Sequence, residues 1–299
     1  MLIACGGTAF AARRDDAPSV AITIDDLDVN ADDTPRLGLE ERNSAILNAL
    51  CTKGLKAALF VCGMRVDNGI GRRHLQEWGR AGHLIANHTY SHKSFHSTTF
   101  DEFAADVLRG EAVIRDVPGF RKLFRFPMLK EGADREARDR MRAYLEVNGY
   151  RMGYVTIDAS DWAIDARLRK RLAADPGADL RPYRAFYLEH IRQRSDFYDN
   201  LARRVLGRPI RHTLLIHHNL LNALFLDDLL AMIAGRGWKL LDAADAFQDP
   251  VFGQKPDVVP AGESIVWALA KQARRYDSEL RYPGEDSSYE DPRMDALNL

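Results

Sequence analysis

The chain has 299 residues, 46% of them hydrophobic and 28% charged, which is ordinary globular material and enough for one large barrel or two smaller domains. A formal net charge of -1 offers no polyanion-binding surface and argues against nucleic acid as a partner. The cysteines, Cys5, Cys51 and Cys62, show no C-x-x-C spacing and no disulfide framework, and no apolar run approaches the ~18 residues of a membrane span.

Residues 1–17 read as a leader or a truncated signal. Met1-Leu2-Ile3-Ala4-Cys5-Gly6-Gly7 has the look of a lipoprotein signal's end, with Cys5 as the lipid anchor, and Ala9-Phe10-Ala11 suits ordinary signal peptidase. A basic n-region is missing and the apolar stretch is short. The expectation is an exported protein of the periplasm or envelope.

From residue 18 onward strand and helix patterns alternate. A strand at 20–24 is followed by a helix at 39–53, stopped by Gly54. A strand at 57–62 precedes a helix around 74–80, and a strand at 84–87 precedes a helix at 100–115. In that helix Phe100, Phe103, Ala104, Val107 and Leu108 recur at helical spacing. Then come a strand at 123–126, a charged helix at 135–148 ended by Gly149, and a strand at 154–157. A stretch at 163–211 interrupts the rhythm with an amphipathic helix carrying Tyr183, Phe186, Tyr187, Ile191, Phe197, Tyr198 and Leu201, expected to pack on the barrel surface. Strands at 213–216 and 238–241 flank a helix at 224–236, ended by Gly235 or Gly237. Cys51 and Cys62, in an amphipathic segment and a buried-looking strand, read as quiet core thiols.

About seven strand–helix units predict an α/β fold with a parallel sheet, open or closed into a barrel. The barrel spans 18–248, and 249–299 forms a C-terminal extension with Pro250, Pro256 and Pro260. One helix at 263–274 should dock it through Ile265, Val266, Trp267 and Leu269, and the last ~20 residues look loosely ordered.

Polar groups collect where the strands end, the place where parallel α/β architectures build ligand sites. They are Asp25-Asp26, His88 with His92, Arg125, Asp158 through Asp161-Trp162, and His217-His218. Singly each has a plain reading: helix caps for the aspartates, a surface ion pair for Arg125, core packing for Trp162 and the histidines. Jointly, at one rim, they make a site. Two imidazoles and one carboxylate with positions left open suit a hydrolytic metal, and the second carboxylate would serve as base. His218 points away from His217 if the strand continues, which makes it structural, and His83 at a strand start reads as inert.

Five motifs in order resemble the polysaccharide deacetylase family, the carbohydrate esterases of family 4 with the NodB-homology domain. Thr23-Ile24-Asp25-Asp26 matches the family's Thr-Phe-Asp-Asp, and His88-Thr89-Tyr90-Ser91-His92, after Asn87, matches His-Ser/Thr-x-x-His. Arg125-Phe126-Pro127-Met128 matches Arg-x-Pro-aromatic, Asp161-Trp162 the Asp-Trp pair, and Leu214-Leu215-Ile216-His217 the Leu-x-x-His motif.

The resemblance implies a distorted (β/α) barrel of fewer than eight strands and a divalent metal, usually zinc, held by Asp26, His88 and His92. It implies Asp25 as the base, Arg125 as its orienting partner, and the Met128 N–H as an oxyanion donor. His217 would protonate the leaving amine, aligned by Asp161, with Trp162 packed against it and Asp158 lining the site. His96, four residues after His92, is displaced as a third imidazole ligand by Asp26. The implied substrate is an acetylated glycan or oligosaccharide losing N-acetyl or O-acetyl groups. A small non-sugar amide at the same site, or a glycan-binding module without turnover, are the alternatives. Leu27-Asp28 replace the family's Gly-Pro, Met128 its aromatic, and His218 its Asp, so the departures surround the metal positions and leave substrate identity and oligomeric state open.

Overall fold

The computed structural model describes residues 17–27, 36–259, 261, 263–281 and 287–299. The readings made on residues 1–16, including Cys5, and on Asp28 and Pro260 lie outside the described residues.

The elements run in the order β1 (Ser19–Asp26), α1 (Leu39–Thr52), β2 (Ala58–Val61), α2 (Gly63–Val66), α3 (Gly69–Arg80), β3 (Leu84–Asn87), α4 (Phe100–Ile114) and β4 (Phe120–Phe124). They continue with α5 (Arg135–Val147), β5 (Arg151–Met152), α6 (Asp161–Ala174), α7 (Arg181–Leu206), β6 (Arg211–His217), α8 (Leu220–Gly235) and β7 (Lys239–Leu240). The chain ends with α9 (Ala243–Ala246), α10 (Ile265–Gln272) and α11 (Asp291–Ala296).

The seven strands form one parallel sheet in the order β5-β4-β3-β2-β1-β6, with β7 paired to the start of β1. β1 is buried along nearly its whole length, as a central parallel strand covered on both faces must be, and its apolar run is continuous for that reason. The sheet curls into a half-barrel with helices around it. The stretch from Arg151 to Ile157 pairs with β4 at its start and bridges Leu214 of β6 at its end, so it spans the remaining gap. The (β/α) architecture expected from the alternation is therefore present.

Several local expectations are corrected. The strand expected at 154–157 is absent as a ladder; β5 lies earlier, and Ile157 makes only an isolated bridge. The cause is non-local: the Val155 carbonyl accepts from Ile265 N at 2.8 Å and the Thr156 carbonyl from Ser264 Oγ at 2.8 Å, so the extension takes acceptors that a strand neighbour would use. β4 ends at Phe124, which leaves Arg125 just past the strand. The interruption at 163–211 is two helices, and α7 buries Tyr183, Phe186, Tyr187, Ile191, Tyr198 and Leu201 in the main core.

Cys62 is buried but Cys51 is exposed, because it faces outward in the turn that buries Ala49 and Leu50. The chain end is also ordered where it is described: Met294 of α11 is buried, and Arg167 reaches Asp291, Asp295 and the Leu299 carbonyl. Among the described residues no helix is long and apolar enough to cross a membrane.

Candidate active site

Parallel register brings the motif residues to one rim. Asp25 aligns with Phe60 of β2 and His217 of β6, while β3 ends at Asn87, immediately before His88. Beyond the strands the backbone turns sharply. Asp26, Leu27, Thr89, His92, Met128 and Leu129 all have positive φ, between 49° and 89°, although each carries a Cβ. Such conformations cost of order 1–3 kcal/mol each and persist only where the surroundings over-determine them. Here the Asn87 side chain accepts from Thr89 N at 2.9 Å and donates to the Val107 carbonyl and Tyr150 Oη, while Thr89 Oγ1 accepts from His92 N at 3.1 Å. Gly110 lets α4 press against this loop, since a Cβ there would meet Thr89 C at 2.6 Å and Asn87 Oδ1 at 2.7 Å.

Asp26, His88 and His92 offer ligand atoms that lie within 4.8 Å of one another. His92 Nε2 is 3.4 Å and His88 Nε2 4.0 Å from Asp26 Oδ1, and that oxygen is buried with no hydrogen-bond partner. A buried carboxylate oxygen left unpaired is costly, and a cation among these three atoms would satisfy it. The His88 ring has its Nδ1 2.8 Å from the Arg125 carbonyl, so Nδ1 carries the proton and Nε2 presents its lone pair to the cluster. Burial pushes His88 and His92 down to about 4, keeping both imidazoles neutral, the form that ligates. Burial alone would raise Asp26, but His92 and Arg65 hold it below the usual range. The donor set fits a divalent metal.

Asp25 is buried beside this cluster. Its Oδ1 accepts from Arg125 Nη1 at 2.5 Å, and its Oδ2 is 3.6 Å from His88 Nε2. Arg125 is itself locked: Nη2 donates to Thr23 Oγ1 at 3.0 Å, Nε to the Gly153 carbonyl at 2.9 Å, and the guanidinium lies over the Phe60 ring at 3.8 Å. Gly153 permits this, because a Cβ there would sit 2.3 Å from Phe60. Burial raises the Asp25 carboxyl above its ordinary range against the pull of Arg125 and His217.

Across the rim, His217 Nδ1 is 2.8 Å from Asp161 Oδ1. Asp161 opens α6, where the helix N-terminus favours an anion, and its Oδ2 accepts from His217 N, Asn219 Nδ2 and Asn222 Nδ2 at 2.7–2.9 Å. Burial opposes a charged His217, yet Asp161, with Asp26 and Asp25, lifts it to about 10.

The remaining candidates fall as follows. Met128 is half-buried in the turn after Arg125, with φ 53° and ψ 21°. Trp162 is half-buried as the second residue of α6. Asp158 is half-buried; burial raises it, opposed by Arg194 and Lys130. The segment at His96 is not helical and His96 is exposed, so the ladder of imidazoles does not form. His218 is buried on the other side of β6 with Nε2 3.3 Å from Asn43 Oδ1, and His83 accepts from Ala57 N through Nδ1. Arg65, beside Gly63 on the short α2, was not among the sequence candidates, yet its Nη1 pairs with Asp26 Oδ2 at 2.9 Å. Lys130 and Glu263, also unflagged, form an ion pair next to the Met128 turn.

Residues 12–153 match the polysaccharide deacetylase family. No curated protein sequence gives a significant match. Among solved structures, the chain is similar to the Bc1960 peptidoglycan N-acetylglucosamine deacetylase, with TM-score 0.51 and 18% identity over 77% of this chain and 88% of that one. It is similar to the peptidoglycan deacetylase PdaC from Bacillus subtilis, with TM-score 0.50 and 17% identity over 89% and 97%. A BA3943 mutant described as a CE4 family pseudoenzyme compares at TM-score 0.50 and 17% identity over 78% and 68%. At these identities the structures show the shared fold. The family resemblance carried by the motifs is borne out over the matched span, which holds Asp25, Asp26, His88, His92, Arg125 and Met128; Asp158, Asp161, Trp162 and His217 lie beyond it.

Proposed function

From a chain with the polysaccharide deacetylase fold and that family's match across its amino-terminal half, we infer a divalent-metal-dependent hydrolase that removes acetyl groups from the amino sugars of a poly- or oligosaccharide. Zinc is the metal proposed, and the reading of the amino terminus supports action in the cell envelope. The observation that carries the reading is the orphaned Asp26 Oδ1 facing two neutral imidazoles, 3.4 and 4.0 Å away, next to a buried Asp25–Arg125 pair.

Asp26, His88 and His92 would hold the metal, which when bound supplies Lewis-acid polarisation of the acyl carbonyl and a more acidic water. Asp25 takes the proton of the attacking water; its raised affinity for protons, from burial, makes it a better base than an exposed aspartate. Arg125 keeps Asp25 in one orientation through a charge-assisted bond that a lysine could not reproduce with the same three contacts. The Met128 N–H and the charge of His217 stand ready for a developing oxyanion. His217 then gives its proton to the leaving amine, and Asp161 holds the imidazolium aligned.

The test is acetate release from chitooligosaccharides, peptidoglycan and acetylated xylan, with bound metal measured on the same protein. Release from an amino-sugar substrate, lost on chelation and restored by zinc, is expected. Release from xylan alone would move the reading to ester hydrolysis. Metal bound with no release from any substrate would overturn it in favour of a binding module.

A further inference from the structure

We propose that the C-terminal extension is part of the catalytic apparatus: Glu263, through its ion pair with Lys130, positions the Met128–Leu129 turn that offers a backbone N–H to the substrate's acyl oxygen. The inference rests on the hydrolase reading above. Lys130 and Glu263 are positioning residues in it and touch no substrate.

The turn needs holding. Met128 and Leu129 are consecutive residues at φ 53° and 54°, each a conformation that a Cβ disfavours. Its internal bonds are two short-range ones, Leu129 N to the Phe126 carbonyl at 3.0 Å and Lys130 N to the Pro127 carbonyl at 3.2 Å. The extension supplies the rest. Glu131 N donates to the Ala261 carbonyl at 3.2 Å, directly after the turn, and Lys130 Nζ meets Glu263 Oε1. Immediately beyond, Ser264 and Ile265 bind the carbonyls of Thr156 and Val155, which lead into Asp158. The segment therefore bridges the third-motif turn and the approach to the Asp161 arm.

Simple docking does not account for this pair. Ile265, Val266 and Trp267 already bury the extension against the core. Glu263 is only 4% exposed, and a buried ion pair pays for desolvation that an apolar contact would avoid, so its natural role is to fix geometry. Arg142 adds a parallel tie, with Nε on Glu131 Oε2 at 2.6 Å and Nη1 on the Pro256 carbonyl at 3.0 Å. The short stretch of chain after Met128 is thus tied to the extension at three points, two directly and one through Arg142 of α5.

The test uses the full chain with Glu263→Gln, Lys130→Met and the double variant. Amide hydrogen exchange is read at residues 128–131, together with kcat, KM, zinc affinity and melting temperature. Expected are exchange at 128–131 faster by about tenfold and kcat lower by about tenfold, with KM and zinc affinity unchanged. The double variant should be no worse than either single one, because both remove one bond. Unchanged exchange at 128–131 in both single variants overturns the proposal whether or not the protein turns over. Faster exchange in a protein that releases no acetate even as wild type would instead overturn the hydrolase reading and leave the clamp standing. If Glu263→Gln fails to fold, Lys130→Met carries the same readouts, and a general drop in melting temperature with exchange rising everywhere counts against positioning.

Discussion

His88, buried, and His217, half-buried, stand at one rim, the first neutral and the second charged. His88 places Nδ1 2.8 Å from a backbone carbonyl, and burial takes it down to about 4. His217 places Nδ1 2.8 Å from the Asp161 carboxylate, and despite burial it rises to about 10. Desolvation penalises the charged form in both; only the second has an anion near enough to outweigh it. A carbonyl partner makes a neutral ligand, and a carboxylate partner makes a proton donor. The amino-terminal half of the site is built for the first role and the carboxy-terminal half for the second.

Asp25 stands between the halves, and removing its charge should do the most damage. Asp25→Asn should lower kcat by about 10²–10⁴-fold, the usual worth of a general base, while Asp26, His88 and His92 keep the metal. Turnover and metal content measured on one preparation decide it. An unchanged rate would remove Asp25 from the base role, and lost metal would merge the two halves into one structural unit.

Asp161→Asn breaks the comparison directly, by giving His217 a neutral partner like that of His88. In the metal-free protein His217 has a folded pKa above its ordinary 6.5, so its stabilising contribution is complete below about 6.5 and lost as pH climbs towards 10. His88 and His92 are depressed to about 4, so their contribution is present above 6.5 and lost as pH falls towards 4. Melting temperature against pH should therefore lose its alkaline fall in Asp161→Asn, and it should also change at the acid end, where the depressed Asp161 carboxyl no longer titrates. Wild-type and variant curves that run parallel from pH 6.5 to 10 would show that Asp161 does not hold the proton on His217. In turnover, the alkaline limb of the pH profile should move down, with an effect on kcat smaller than that of Asp25→Asn.

Both halves were legible in sequence to different depths. Asp25 and Asp26 end one continuous apolar run and His88 follows another, with His92 four residues further on; parallel register puts such ends side by side, so pattern and topology agree. His217 was readable for the same reason. What escaped reading depends on partners far along the chain. Arg65 carries no motif, and only the turn into α2 brings it to Asp26. The missing strand at 154–157 reflects acceptors taken by Ser264 and Ile265, over a hundred residues away as the hydrogen bond from Ser264 to Thr156 spans 108. The ordered chain end is held by Arg167 to Asp291 and Asp295, and long-range ion pairs leave no periodicity to read.

The smallest expected effect sharpens the ligand side of the comparison. His96 follows His92 at helical spacing, and in a helix it would stand over the same face as a third imidazole. The backbone forbids this. His92 has φ 56°, the segment runs on without helical bonds, and His96 is exposed. An exposed imidazole keeps its water and gains nothing from the cluster, so His96→Ala should leave zinc stoichiometry unchanged and kcat within about twofold, the range of a plain surface substitution. Zinc titration of the two proteins would settle it, and a lost equivalent would mean that the loop after His92 refolds when metal binds. With affinity unchanged, the ligand side of the rim is complete with Asp26 and two imidazoles, and the strained φ at His92 is what keeps a third out.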